Sequence, residues 1–225
     1  MFKKYLSILL ITLLSSSSMA DTETGGYIKG SIGYNKIFTT KIEDQTYIGY
    51  IKVSETFPVV EIGAGYQFPD GIRTELVYDY YFRFASQDKS IDKHGNIFDI
   101  VTTTRAQAIF FNTYKDIITI KSFTPFVGVG IGMSTIEEDA KGYVVSNLSK
   151  KQYELTSTTS HKVNRFACKL TAGLEVALNP NVIAEFSYNY FNLGKNKPKI
   201  IDGLNNVQHR NYTVHNVLLG FRLKL

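Results

Sequence analysis

Few residues in this chain could carry out covalent chemistry. Histidines stand at His94, His161, His209 and His215, and Cys168 is the single cysteine. A hydrolase needs a nucleophile, a base and a group that orients the base, all within hydrogen-bond reach. Ser160 and His161 are adjacent, but neighbours on an extended chain point to opposite sides. His94 with Asp92 or Asp99 reads as a solvated loop cluster rather than a dyad. No G-x-S-x-G motif occurs. The stretch GVGIGM at Gly128–Met133 alternates strictly and precedes no helix, so it is not a dinucleotide fingerprint. No His/Cys/Asp spacing suggests a metal. Asn147-Leu148-Ser149 and Asn211-Tyr212-Thr213 match the glycosylation pattern, a three-residue motif short enough to arise by chance. The expectation is no enzyme, no cofactor and no metal.

The charged residues are more informative, because they alternate. In "IRTELVYDYYFRF" the positions Ile72, Thr74, Leu76, Tyr78, Tyr80, Phe82 and Phe84 fall on one face. Arg73, Glu75, Val77, Asp79, Tyr81 and Arg83 fall on the other. Period 2 is the strand signature. The same division sets Ile28, Ile32, Tyr34 and Phe38 against Lys29, Ser31 and Asn35. It sets Val60, Ile62, Ala64 and Tyr66 against Glu61, Gly63, Gly65 and Gln67. It recurs over 164–178, with Arg165, Lys169 and Glu175 on the polar side, over 182–191 with Glu185, and over His215–Leu225 with Arg222 and Lys224. The stretch "TPFVGVGIG" adds a strand with glycine on one face. An eighth fits at 103–115, where Ile109, Phe110 and Phe111 run together and leave the facing open.

Connections alternate in length. Pro69–Gly71, Lys115–Ser122 and Asn179–Asn181 are short, and the first and third carry strong turn signals. The long ones, 39–57, 85–102, 136–163 and 192–211, hold most of the polar sequence. Short turns at one end and long loops at the other is the arrangement of an outer-membrane barrel. The expected fold is therefore all-β: an eight-stranded antiparallel up-and-down transmembrane β-barrel with short periplasmic turns and four long extracellular loops.

The N-terminus fits export. Lys3 and Lys4 precede the apolar run Tyr5–Leu14, and Ser18-Met19-Ala20 offers small residues before a cut. Residues 1–20 read as a secretory signal peptide and 21–225 as the barrel domain. The alternative, a membrane anchor, would need an apolar run of about 20 residues. Without Lys3 and Lys4 the formal charge falls from +5 to +3. That balance, without a basic helix or zinc spacing, excludes nucleic acid as the expected partner. One cysteine rules out an intrachain disulfide.

Alternation alone does not distinguish inside from outside. In a membrane barrel the apolar face meets lipid. In a soluble periplasmic lipocalin-like barrel it would fill the interior. Aromatics near the ends of the apolar faces (Tyr78, Tyr80, Phe82, Phe84; Tyr188, Tyr190) favour lipid, because aromatic girdles sit at membrane interfaces. With lipid outside, Arg73, Glu75, Arg83, Lys169, Glu175 and Glu185 form a polar network in the lumen. Gly128, Gly130 and Gly132 would then leave room for bulky charges such as Arg73, Arg83 and Lys169. The network reads as a salt-bridged plug, with a narrow ion path as the alternative.

The strand "TPFVGVGIG", the segment "FNTYKD", "NVIAEFSYNYFNLGK" and the ending "HNVLLGFRLKL" resemble the surface-antigen family of eight-stranded outer-membrane barrels, and within it the rickettsial adhesins. The similarity covers the strands and fades in the loops. Leu225 stands where such barrels often end in an aromatic residue. The resemblance implies an outer-membrane location and adhesion through the loops to host cells or serum proteins such as vitronectin, besides contact with outer-membrane lipid. The fourth long connection is the only clearly basic one, with Lys195, Lys197, Lys199 and Arg210 against Asp202. These four are candidate partner-binding residues, and the Lys150-Lys151 pair of the third loop is the next basic feature. A non-adhesive structural or minor-channel barrel is the alternative function, and lysines meeting anionic lipopolysaccharide the plainer reading of the fourth loop.

Overall fold

The computed structural model describes residues 24–40, 54–91, 97–145, 152–196 and 210–225. The expected signal peptide lies outside the described residues. Eight strands close into one barrel in sequence order. They are β1 (Gly25–Thr40), β2 (Ser54–Gln67), β3 (Ile72–Ile91), β4 (Ile97–Asp116), β5 (Phe123–Val145), β6 (Gln152–Asn179), β7 (Val182–Asn196) and β8 (Arg210–Lys224). Every neighbouring pair is antiparallel, and β1 with β8 completes the ring from Tyr27↔Lys224 to Thr40↔Asn211.

The short turns form for local reasons. Between β2 and β3, Asp70 and Gly71 both take positive φ, 66° and 68°, after Pro69. Glycine and aspartate tolerate that region best. Between β6 and β7, Asn181 N–H donates to Asn179 Oδ1 at 2.9 Å, an Asx turn around Pro180. Between β4 and β5, Lys121 is left-handed (φ 57°) and Ile120 bridges to Phe123.

The facing is the lipid arrangement. Ile32, Ile62, Leu76, Ile109, Val129, Ile131, Leu170 and Leu219 are each more than half exposed, whereas Arg73, Glu75, Asp79 and Lys169 are buried. A soluble barrel would invert this, so the lipocalin-like alternative fails. The strand left open also resolves: Ala106, Ala108, Phe110, Asn112 and Tyr114 point inward, and Ile109 and Phe111 outward. From Ile72 to Phe82 is ten steps on β3. At ~3.3 Å a step and a tilt of ~40° this spans roughly 25 Å, the height of an apolar band in such barrels.

Two expectations change. First, the connections at 85–102 and 136–163 are largely strand. β3 and β4 stay paired out to Ile91↔Ile97, and β5 and β6 out to Val145↔Gln152. Outside a bilayer no apolar alternation is required, so the sequence there loses its period while its Thr, Val and Ile still favour strand. Among the described residues, β2 leaves β3 after Tyr81 and β7 leaves β6 after Cys168. Beyond those points β3–β6 continue as a four-stranded sheet raised above the ring. Second, Arg83 is not in the lumen. The β3–β4 register shifts between Tyr81 and Phe84, so Arg83 is exposed and Phe84 turns inward to stack on Phe57 with centroids 4.4 Å apart. A bulge reverses the parity of everything beyond it.

Leu76→Arg, at the middle of the lipid face, is expected to destabilise the barrel by about 2–4 kcal/mol. Its lumen neighbour Val77→Thr should cost less. Denaturant titration in lipid vesicles, followed by heat-modifiable gel mobility, measures both; equal tolerance would contradict the facing.

Candidate functional site

The lumen is filled in two tiers. Nearer the short turns the inward positions of β1, β2, β3, β6, β7 and β8 carry charge. Lys29 Nζ lies 2.9 Å from Glu61, 3.1 Å from Glu75 and 3.2 Å from Glu185. Lys169 Nζ lies 3.2 Å from Glu61 and 3.4 Å from Asp79. Arg73 contacts Glu175 and lies 3.4 Å from Asp116, and Arg222 Nη2 meets Glu175 at 2.5 Å. Each acid shared by two cations links one ion pair to the next, so the network crosses the lumen.

Neutral donors add to two of the carboxylates. Glu75 accepts from Tyr114 Oη at 2.7 Å, Tyr27 Oη at 3.2 Å and Asn112 Nδ2 at 3.3 Å. Asp79 accepts from Tyr81 Oη at 2.9 Å. Aromatic faces cover the cations: Arg73 lies 4.3 Å from the Phe126 centroid and Lys169 4.6 Å from that of Phe110. A desolvated cation gains from such a face. Buried charges are tolerable only with partners of this kind.

The glycines act differently from the expectation. A Cβ on Gly128 would lie 2.1 Å from Tyr114 Cδ1, and one on Gly130 2.0 Å from Asn112 Oδ1. One on Gly132 would lie 2.8 Å from the Phe110 ring. The bare face of β5 therefore receives side chains of β4, its hydrogen-bonded neighbour, and Lys169 makes only ordinary contact, 3.5 Å from a Cβ at Gly130. Tyr27 over Gly65 and Phe126 over Gly173 repeat the device. Ring on glycine is what lets eight strands close around so many aromatics.

The second tier was not anticipated. Overlapping the charged tier at Val77, Phe110 and Phe191 and extending from there toward the long connections, Ile37, Phe57, Val59, Val77, Tyr81, Phe110, Phe191, Val214 and Leu218 form one buried apolar cluster. Tyr81 and Phe191 lie 5.9 Å apart, and Phe110 packs edge-on to Phe191. Its signal was present at Val59, Phe191, Val214 and Leu218, apolar residues in the polar-facing register, but they are scattered over three strands among polar and small residues.

Of the lumen residues named from sequence, the structure brings together Arg73, Glu75, Lys169, Glu175 and Glu185, with Lys29, Glu61, Asp79 and Arg222 beside them. Arg83 stands apart, on the exterior. Lys195 lies near the end of β7 and Arg210 begins β8, where Asn196 pairs with Arg210. Lys197, Lys199, Lys150 and Lys151 lie outside the described residues. Among the described residues no His/Cys/Asp/Glu group is arranged to hold a metal ion. An interior filled by paired ions and packed rings, which meet where Lys169 lies against Phe110, has the chemistry of a closed support.

Lys29 is the test of this network. Lys29→Met leaves Glu61, Glu75 and Glu185 short of a cation and should cost about 3–5 kcal/mol. Adding Glu185→Gln should return part of that loss. Urea unfolding in vesicles gives both values, and additive losses would contradict the shared pairing.

Residues 6–224 match the family model described as "Outer membrane protein beta-barrel domain". A Rickettsia conorii protein named "Putative adhesin" is 28% identical, over 94% of this chain and 86% of its own. The outer membrane protein PagN of Salmonella typhimurium is 24% identical, over 86% of this chain and 85% of its own. Two solved barrels share the fold. Neisserial surface protein A gives a TM-score of 0.57 at 16% identity, covering 90% of this chain and 99% of its own. OprG of Pseudomonas aeruginosa gives 0.57 at 12%, covering 92% and 100%. These relatives are named as adhesins or outer-membrane barrels and not as enzymes.

Proposed function

We propose, starting from the fact that this chain belongs to the outer-membrane protein β-barrel domain family, that it is an adhesin whose raised sheet and long connections bind molecules of a host surface. The barrel lies in the outer membrane of a bacterial cell, where the long-connection end faces outward. The observation that carries the reading is the asymmetry of the two ends. Pro69–Gly71 closes one hairpin with three residues, whereas at the other end β5 runs 23 residues and β6 28. A membrane crossing needs only about 9–11 residues per strand. A purely anchoring barrel has no use for the surplus. Recognition on barrels and sandwiches sits on the segments that a rigid scaffold presents.

The raised sheet also offers edges. β3 beyond Tyr81 and β6 before Cys168 have strand partners on one side among the described residues. Such edges pair readily with an extended polypeptide. Lys195, Lys197, Lys199 and Arg210, with Lys150 and Lys151, add a basic contribution that steers acidic partners. A serum protein of the vitronectin kind is the partner that the resemblance implies. The two-tier lumen speaks against a minor channel, and the relatives' names speak against an enzyme.

Two variants test the reading. One removes residues 86–102 and 137–162, cutting at the cross-strand pairs Ala85↔Thr103 and Ile136↔Val163. The barrel should still shift its gel mobility on heating, and its binding to host cells should fall to background. Binding retained by the trimmed barrel would favour the anchor reading. The other changes Lys195, Lys197 and Lys199 to Gln. It should slow association with a host serum protein and flatten its salt dependence, because surface charge acts over ~8–10 Å and mainly speeds encounter. Unchanged association at low and high salt would remove the fourth connection from the binding surface.

A further inference from the structure

The outer wall of the barrel carries a polar cluster that neither lumen nor adhesion accounts for. Cross-strand register orders the exterior of β7, β8, β1 and β2 into rows. One row is Phe186, Leu219, Ile32 and Val60, wholly apolar. The next toward the cell surface is Tyr188, Val217, Tyr34 and Pro58. The next is Tyr190, His215, Lys36 and Thr56. Within four residues along each strand the wall passes from hydrocarbon-like through aromatic to cationic. In a barrel the aromatic row marks the headgroup boundary.

His215 is held in place. Its Nδ1 contacts the Tyr188 hydroxyl, and its ring lies 5.3 Å from that of Tyr190, edge to face. Lys36 stands directly opposite His215 across the β1–β8 ladder and is exposed. Side chains so paired have Cβ atoms about 4.5–5.5 Å apart and can converge on one small group. Between them opens a groove of about 540 Å³, lined by Tyr34, Asn35, Lys36, Thr56, His215 and Val217. Its cationic and hydroxyl groups lie on the surface side, and Tyr34 and Val217 lie on the hydrocarbon side.

We infer that Lys36 and His215 form a binding site for the phosphate of an outer-leaflet lipid, with Thr56 as a further donor and Tyr34 and Val217 against its acyl portion. The chemistry is complementary at each level. An ammonium and an imidazole N–H suit a phosphate oxygen, and the wall below them suits a chain. Two polar groups beside the apolar band would be costly facing hydrocarbon and favourable facing an anionic headgroup. A lipid held at the β1–β8 seam would also cover the pairing that closes the ring. This site rests on the outer-membrane location and is independent of adhesion.

The test uses the full barrel, refolded in phosphatidylcholine vesicles doped either with a bisphosphorylated lipid A or with the same lipid dephosphorylated. Native mass spectrometry after mild detergent extraction counts the lipid retained. Wild type should keep the phosphorylated lipid, and Lys36→Gln/His215→Gln should lose at least about tenfold in retention, the scale of losing charged hydrogen bonds. Lys36→Arg should retain it. Heat-modifiable mobility checks that each variant folds, and the comparison of the two lipids on wild type needs no variant at all. Equal retention of both lipids by wild type would overturn the site. So would equal retention by wild type and the double variant, or displacement of the lipid by inorganic phosphate at equal concentration, which would mark a small-anion site instead.

Discussion

Hydrocarbon supplies no partner for a backbone N–H or C=O, and every other feature of this protein follows from meeting that constraint. Each strand must be paired on both sides through the depth of the bilayer. Eight strands in sequence order do this only if β8 returns to β1, which it does from Tyr27↔Lys224 to Thr40↔Asn211. Closure then sets the facing. Once the ring is shut, alternate side chains have either lipid or a narrow lumen as their surroundings. A register error of one residue would exchange the two.

The narrow lumen imposes the next requirement. An eight-stranded ring holds little more than its own side chains, so the inward residues must fit one another in charge and in volume. Lys29 reaches three carboxylates because they lie on different strands at neighbouring levels. Glycines at 65, 128, 132 and 173 accept the rings of Tyr27, Tyr114, Phe110 and Phe126. The charged cluster fixes which strands sit opposite, and the apolar cluster that overlaps it at Val77 and Phe110 supplies packing that needs no such matching. A scaffold closed in this way can carry variable segments at its rim without loss of the ring.

At the rim the constraint is released. Water satisfies the backbone, and strands are free to end at different heights. β3–β6 go on and β2 and β7 turn away. The bulge at Phe82 and Arg83 marks the level at which this begins, placing an arginine outside and Phe84 against Phe57. Lys36 and His215 occupy the same boundary at the β1–β8 seam, where the surroundings change from hydrocarbon to phosphate.

Strand number, order and lipid facing were legible in the sequence, because hydrocarbon imposes a strict period of two on every residue that crosses it. So were the short turns, where Pro69, Asp70, Gly71 and Asn179–Asn181 act locally. The charged tier was legible as a set of inward positions, since Arg73, Glu75, Lys169, Glu175 and Glu185 share the polar phase of their strands. What only the tertiary structure decided depends on pairing between strands. It determined that Lys29 shares three acids, that the β5 glycines serve β4 side chains and not distant charges, and that Arg83 leaves the lumen at a bulge. It also determined that two polar connections are raised strands, and that Lys36 meets His215, 179 residues away in sequence. Periodicity specifies which face a residue takes. Register specifies its neighbour, and register is a property of two strands that neither carries alone.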